Sequence, residues 1–208
     1  MPTEKNFRTG RPRITSRTAL LIVDVQNDFC PGGTLAVPEG DRVVPLLNKY
    51  IRIFQAEGAP IVATRDWHPR DHCSFKPFGG IWPPHCVRNT PGAEFHAELK
   101  LPKEATIISK GTNPKIEAYS GFQQTALSEW LTTRRVEAVF VGGLATDYCV
   151  KSTVLDALKA GFKAVYLADA SRGVNVKPTD SEQAEREMQR AGAGRVTLAE
   201  IELKTGEV

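Results

Sequence analysis

The sequence predicts an α/β fold, a three-layer α/β/α domain built around a six-stranded, mostly parallel sheet. Three observations carry this. Short apolar runs recur along the 208 residues, and amphipathic stretches follow them. The runs are nearly continuous in Val, Ile, Leu and Ala, as expected of strands covered on both faces. Glycines such as Gly58 and Gly161 close the helical stretches, where the chain must stop and turn.

The first run, "TALLIVDV" (18–25), reads as a buried strand. In "DRVVPLLNKYIRIFQAEG" that follows, Val43, Leu46, Leu47, Tyr50, Ile51 and Phe54 repeat at helical spacing. Pro45 falls in its first turn, where a missing N–H does little harm. "APIVATRD" (59–66) and "ATIISK" (105–110) are the second and third strands. A helix is predicted over 122–135, with Leu127, Trp130 and Leu131 inward. "EAVFVGG" (137–143) is the fourth strand, and "TDYCVKSTVLDALKAG" the helix after it. "KAVYLADA" (163–170), the helix "DSEQAEREMQRAG" and the strand "RVTLAE" (195–200) complete the order. Residues 69–104 break the pattern. They form a long connection rich in Pro, Gly, His and Trp, with helical period only at "GAEFHAEL". Connections this long are usually functional or disordered, and three histidines with Trp82 argue for function.

Net charge is +3, and much of the excess lies in the first seventeen residues, where Lys5, Arg8, Arg11, Arg13 and Arg17 face only Glu4. The organisation expected is a basic N-terminal arm over 1–17 and one domain over 18–208. The arm lacks the amphipathic period of a targeting segment, and the remainder is nearly neutral, so no nucleic-acid partner is implied. No apolar run approaches membrane-spanning length. Cys30, Cys73, Cys86 and Cys149 form no C-x-x-C pair and no zinc-finger spacing. With no export segment visible, they read as reduced thiols of a cytoplasmic protein.

Ligands of parallel α/β sheets gather beyond the carboxyl ends of the strands. Those ends carry Asp24, Asp66 with His68 two residues on, Lys110, and the Gly142-Gly143 turn that leads to Cys149. Taken singly, each has a plain structural explanation. A chemical reason for their convergence comes from Cys149. In the first turn of a helix capped at Thr146 or Asp147, its thiol pKa is expected below the ordinary value of about 8.5. Asp24, Lys110 and Cys149 then supply a base, an electrostatic partner and a nucleophile. Amides of the "LATDYC" turn are placed to bind an oxyanion. A second constellation is metal-capable. Asp66-x-His68 points two ligands to one side of an extended segment, and His85 in "WPPHCV" offers a third. Three ligands with open positions suit a catalytic or substrate-binding metal. His72 is a candidate fourth ligand, with hydrogen bonding or pocket lining as its other roles, and His96 falls on the short predicted helix.

Together these pieces resemble the isochorismatase-like cysteine hydrolases, and within them the nicotinamidases (pyrazinamidases). The matching segments are "LLIVDVQNDFCPGGTLAVPEGD", "TRDWHP", "WPPHCVRNTPGAEFH", "SKGTNP", "EAYSGF" and "VGGLATDYCVKSTVLDA". The resemblance implies Asp24, Lys110 and Cys149 as catalytic residues, and Asp66, His68 and His85 as metal ligands. The metal it implies is one divalent ion, zinc foremost, with iron and manganese as alternatives. It also implies Phe29, Leu35, Trp82 and Tyr119 around the substrate, and a cis peptide at Leu144–Ala145 before an oxyanion hole of the Ala145 and Cys149 amides. The activity implied is hydrolysis of nicotinamide, with pyrazinamide also accepted, and a homo-oligomer is compatible with it. Three other readings stay open: a sibling hydrolase of another small amide or ureido substrate, a dinucleotide-binding protein using the "VGGLATD" turn, and a non-catalytic domain on the same scaffold.

Overall fold

The computed structural model describes residues 12–201. Six parallel strands form one sheet: β1 (Thr18–Val23), β2 (Ile61–Asp66), β3 (Thr106–Lys110), β4 (Ala138–Leu144), β5 (Lys163–Arg172) and β6 (Gly194–Val196). Their spatial order is β3-β2-β1-β4-β5-β6, and every pairing between them is parallel. The chain therefore builds outward from β1 in one direction, then returns to β1 and builds in the other. The reversal lies between β1 and β4, and a doubly wound sheet opens its ligand crevice at that place.

Alternation along β1 makes the three layers. Leu20 and Ile22 face α1 (Val43–Ala56), packing with Leu47, Tyr50, Ile51, Phe54 and Phe140. Leu21 and Val23 point the other way, into a second core. There they meet α2 (Leu127–Thr133), α3 (Lys151–Lys159) and α4 (Asp180–Arg190) through Leu131, Val154 and Met188. A period of two on the strand thus decides which helix layer each side chain serves.

Several elements differ from the periodicity reading, each for a local reason. The helix expected over 122–135 begins only at Leu127. Gln124 is left-handed at φ 55°, and the Thr125 hydroxyl accepts the Leu127 N–H. The helix expected from Thr146 opens as a wide π-type turn, Thr146–Val150, and becomes α-helical only at Lys151. The strand expected over 195–200 stops at Val196, because Thr197 and Glu200 form a reciprocal cap on a 3₁₀ turn. His96 is not on a helix: after the 3₁₀ turn Pro91–Ala93, the His96 N–H bonds the Val25 carbonyl and Phe95 bridges Gln26. Residues 1–11 of the expected basic arm lie outside the described residues. Residues 12–17 lie against the body, with Ile14 buried and Arg17 paired to Glu137.

Gly142 and Gly143 sit where β4 lies beside β1. Gly143 has φ 126°, and a Cβ there would strike the Val23 backbone. The glycine pair therefore serves close contact with the neighbouring strands. Gly143→Ala is expected to cost about 3 kcal/mol from clash and backbone strain. A urea denaturation midpoint lowered accordingly is the check.

Candidate active site

Asp24 follows the last residue of β1, Lys110 ends β3, and Cys149 lies in the turn after β4, so the strand ends deliver all three to the reversal point. The Lys110 ammonium is the centre of the group. It donates to Asp66 Oδ1 at 2.5 Å, to the Ala118 carbonyl at 3.2 Å and to Cys149 Sγ at 3.4 Å. It also lies 2.9 Å from Asp24 Oδ2. At that distance Asp24 shares the ammonium's charge with Asp66 as a second ion pair. Asp24 Oδ1 accepts the Thr64 hydroxyl at 2.6 Å. Asp24, Asp66 and Cys149 offer ligand-type atoms all within 4.8 Å of one another.

The electrostatics follow from burial. Burial opposes a charge on Lys110, but Asp24 and Asp66 outweigh it and raise its pKa well above the ordinary value. Burial raises Asp66, yet Lys110 and then His68 hold it ionised far below the usual carboxylate range. Asp24 stays raised, because burial exceeds the pull of Lys110. The Cys149 thiol is also pushed up, by burial first, with Lys110 opposing and Asp24 and Asp66 adding to the rise. This corrects the expectation of a lowered thiol. The turn is π-type and the sulfur sits beside two carboxylates, so proximity to a helix start does not decide its proton.

Asp66, His68 and His85 bring one ligand atom each within 4.8 Å of one another. Each histidine is oriented by a carbonyl. His68 Nδ1 meets the Gly111 oxygen at 2.9 Å and His85 Nδ1 meets the Pro83 oxygen at 2.8 Å. A carbonyl only accepts, so both protons sit on Nδ1 and both Nε2 lone pairs remain for a cation. His68 Nε2 is 3.5 Å from Asp66 Oδ2. Two imidazoles and a carboxylate fit a divalent transition ion. His72 does not join them. Its Nδ1 lies 2.7 Å from the Ser74 hydroxyl and its Nε2 3.2 Å from the Ile116 carbonyl, so both ring nitrogens are committed. It stacks on His68 instead, with centroids 4.1 Å apart.

A crevice joins the two groups. Asp66, His85, Ala145 and Cys149 line it beside all four residues expected around a substrate, Phe29, Leu35, Trp82 and Tyr119. Trp82 donates to the Tyr119 hydroxyl at 3.0 Å, which ties the long loop to the segment after β3. The Leu144–Ala145 peptide is cis, and the Ala145 carbonyl accepts the Tyr148 and Val150 N–H groups, curling the turn around the sulfur.

Sequence reasoning missed several contributors. Val37, Leu144, Tyr148 and Val174 also line the crevice. Gln26 clamps Asp66 from both sides, accepting its N–H and donating to its carbonyl, each at 2.8 Å. Asp28 accepts the Cys86 N–H at 2.7 Å, next to His85. The signal for Gln26 and Asp28 was their placement directly after the first strand, within "DVQND".

The isochorismatase domain family matches residues 18–200. The chain is 44% identical to the nicotinamidase of Escherichia coli K12, across 90% of this chain and 98% of that one. Its fold is similar to the pyrazinamidase of Pyrococcus horikoshii crystallised in complex with zinc, with TM-score 0.84 and 53% identity over 88% of this chain and 99% of the other. A protein of L. infantum solved in complex with nicotinate superposes with TM-score 0.86 and 34% identity, over 92% and 98% of the two chains. With strand-end residues, crevice and family match in agreement along nearly the whole domain, the chain belongs to the isochorismatase family of hydrolases.

Proposed function

We propose that this chain is a metal-dependent cysteine amidohydrolase that converts nicotinamide to nicotinate and ammonia, in salvage of the pyridine ring for NAD, and that it accepts pyrazinamide. The observation that carries the reading is one buried ammonium touching both a thiol and a carboxylate, at the floor of an aromatic crevice beside an Asp-His-His group. Similarity to the nicotinamidase and pyrazinamidase named above supports the choice of substrate.

Asp66, His68 and His85 would hold one divalent ion, which we assign as zinc. When bound, the ion would supply Lewis-acid chemistry that helps to orient the pyridine ring in the crevice. Phe29, Trp82 and Tyr119 give the ring an apolar seat. Burial raises the Cys149 thiol, so a base must act in place. Asp24 suits this role, since burial raises its proton affinity and it lies beside Cys149 at the same ammonium. Asp24 takes the thiol proton while Lys110 stabilises the thiolate. The sulfur attacks the amide carbon, and the amides of Ala145 and Cys149 receive the oxyanion, a contribution of about 3–4 kcal/mol per donor. Asp24 then gives its proton to the departing ammonia. With Asp24 again as base, water attacks the thioester and releases nicotinate.

Cys149→Ala is expected to lower kcat for ammonia release from nicotinamide by at least about 10⁴-fold with an unchanged circular dichroism spectrum. Substantial residual turnover removes Cys149 as nucleophile. Asp66→Ala and His85→Ala are expected to lose bound metal and nicotinamide affinity together. Gln26→Ala is expected to weaken metal affinity by about 10- to 100-fold by loosening Asp66. Elemental analysis of dialysed variants reads both results. Burial disfavours charge on His68, but Asp66 outweighs it and raises the pKa. Protons therefore compete with the metal, and apparent zinc affinity should fall about tenfold per pH unit below that pKa. Competition titration with a chromophoric chelator between pH 8 and 5 measures the slope.

A further inference from the structure

We infer that Asp147 is a positioning residue that sets the width of the substrate crevice by holding Val174 in its wall, an inference that rests on the amidase reading above. Asp147 stands midway between Ala145 and Cys149, yet its carboxylate is not directed to the chemistry. Oδ1 accepts the Val174 N–H at 2.9 Å and Oδ2 accepts the Asn175 N–H at 2.8 Å. Asp147 is buried as a residue, and both bonds are partly sheltered from water. Val174 in turn lines the crevice with Leu35, Val37 and Cys149.

The loop it holds is also fixed by apolar packing of Val174 on the core and by Asn175. Asn175 is left-handed at φ 52°, and its Oδ1 accepts the Ser181 N–H in the first turn of α4. Gly173 has no room for a side chain, since a Cβ would meet Ser181 Oγ. One carboxylate thus connects the nucleophile's own turn to the loop after β5 and, through Asn175, to α4. A carboxylate accepts two N–H bonds, whereas an amide offers one oxygen and would set its NH₂ against the second donor. Asp147→Asn therefore keeps the shape and breaks half of the clamp. The predicted consequence is a wider crevice around an unaltered Asp24–Lys110–Cys149 group. Loss of one or two methyl groups from an apolar wall changes discrimination by about tenfold or more, so the effect is measurable.

The test compares wild type, Asp147→Asn and Val174→Ala in two assays. One is nicotinamide hydrolysis, resolved into KM and kcat. The other is the rate of Cys149 alkylation by iodoacetamide and by the bulkier N-benzylmaleimide, followed by mass mapping of the Cys149 peptide. Both variants are expected to raise KM about tenfold with a much smaller change in kcat, and to raise the bulky-to-small alkylation ratio by a similar factor. Should Asp147→Asn fail to fold, Asp147→Glu takes its place, since the longer side chain keeps the charge and moves both acceptor oxygens away from the Val174 and Asn175 amides. A loss of kcat with KM and alkylation ratio unchanged overturns the inference, as does a ratio that moves in Val174→Ala alone. If wild type releases no ammonia from nicotinamide, the amidase reading fails, and the alkylation ratio still decides the role of Asp147.

Discussion

A lysine with 1% exposure is the constraint on which the rest of the site depends. An ammonium removed from water costs several kcal/mol unless opposite charge and hydrogen-bond acceptors replace the solvent. Here Asp66, Asp24, the Ala118 carbonyl and the Cys149 sulfur do so. Each of these partners must therefore stay within contact distance of one nitrogen. That requirement brings together the ends of β1, β2 and β3 and the turn after β4. The doubly wound sheet meets it cheaply, since its reversal point already opens between β1 and β4.

The same charge balance explains why the Cys149 thiol is pushed up. Two carboxylates and one ammonium share a water-poor space, and a thiolate would add a third negative charge. The proton can leave only to a group that is itself a good acceptor. Burial makes Asp24 such a group, whereas Lys110 and His68 keep Asp66 ionised. Two aspartates in one cluster thus differ in proton affinity because their neighbours differ, and the proposed mechanism draws its base from that difference.

Much of this was legible in the sequence because strand ends are legible. Apolar runs located β1, β2, β3 and β4, and the residues that end or directly follow them proved to be the polar cluster. His85 could be picked from the long loop because its residue type is rare and its neighbours are Trp and Pro. What escaped notice depended on side-chain direction in irregular segments. Val174 and Tyr148 carry no periodic signal, and nothing local says that the Asp147 carboxylate points to the loop after β5. The shortened α2 turned on the left-handed backbone at Gln124, which propensity does not report. The direction of the Cys149 shift escaped for a similar reason: depth of burial is a property of the packed whole.

Asp66 is shared between the two halves of the crevice. One oxygen holds the Lys110 ammonium and the other faces His68. Whatever draws electron density toward His68 weakens the hold on Lys110, and so alters how strongly the ammonium favours a negative sulfur. In the proposed mechanism, recognition of the ring and activation of the nucleophile are thereby linked through three atoms of a single carboxylate. Replacements made on opposite sides of it will not combine as independent free energies, so neither half of this enzyme can be retuned without readjusting the other.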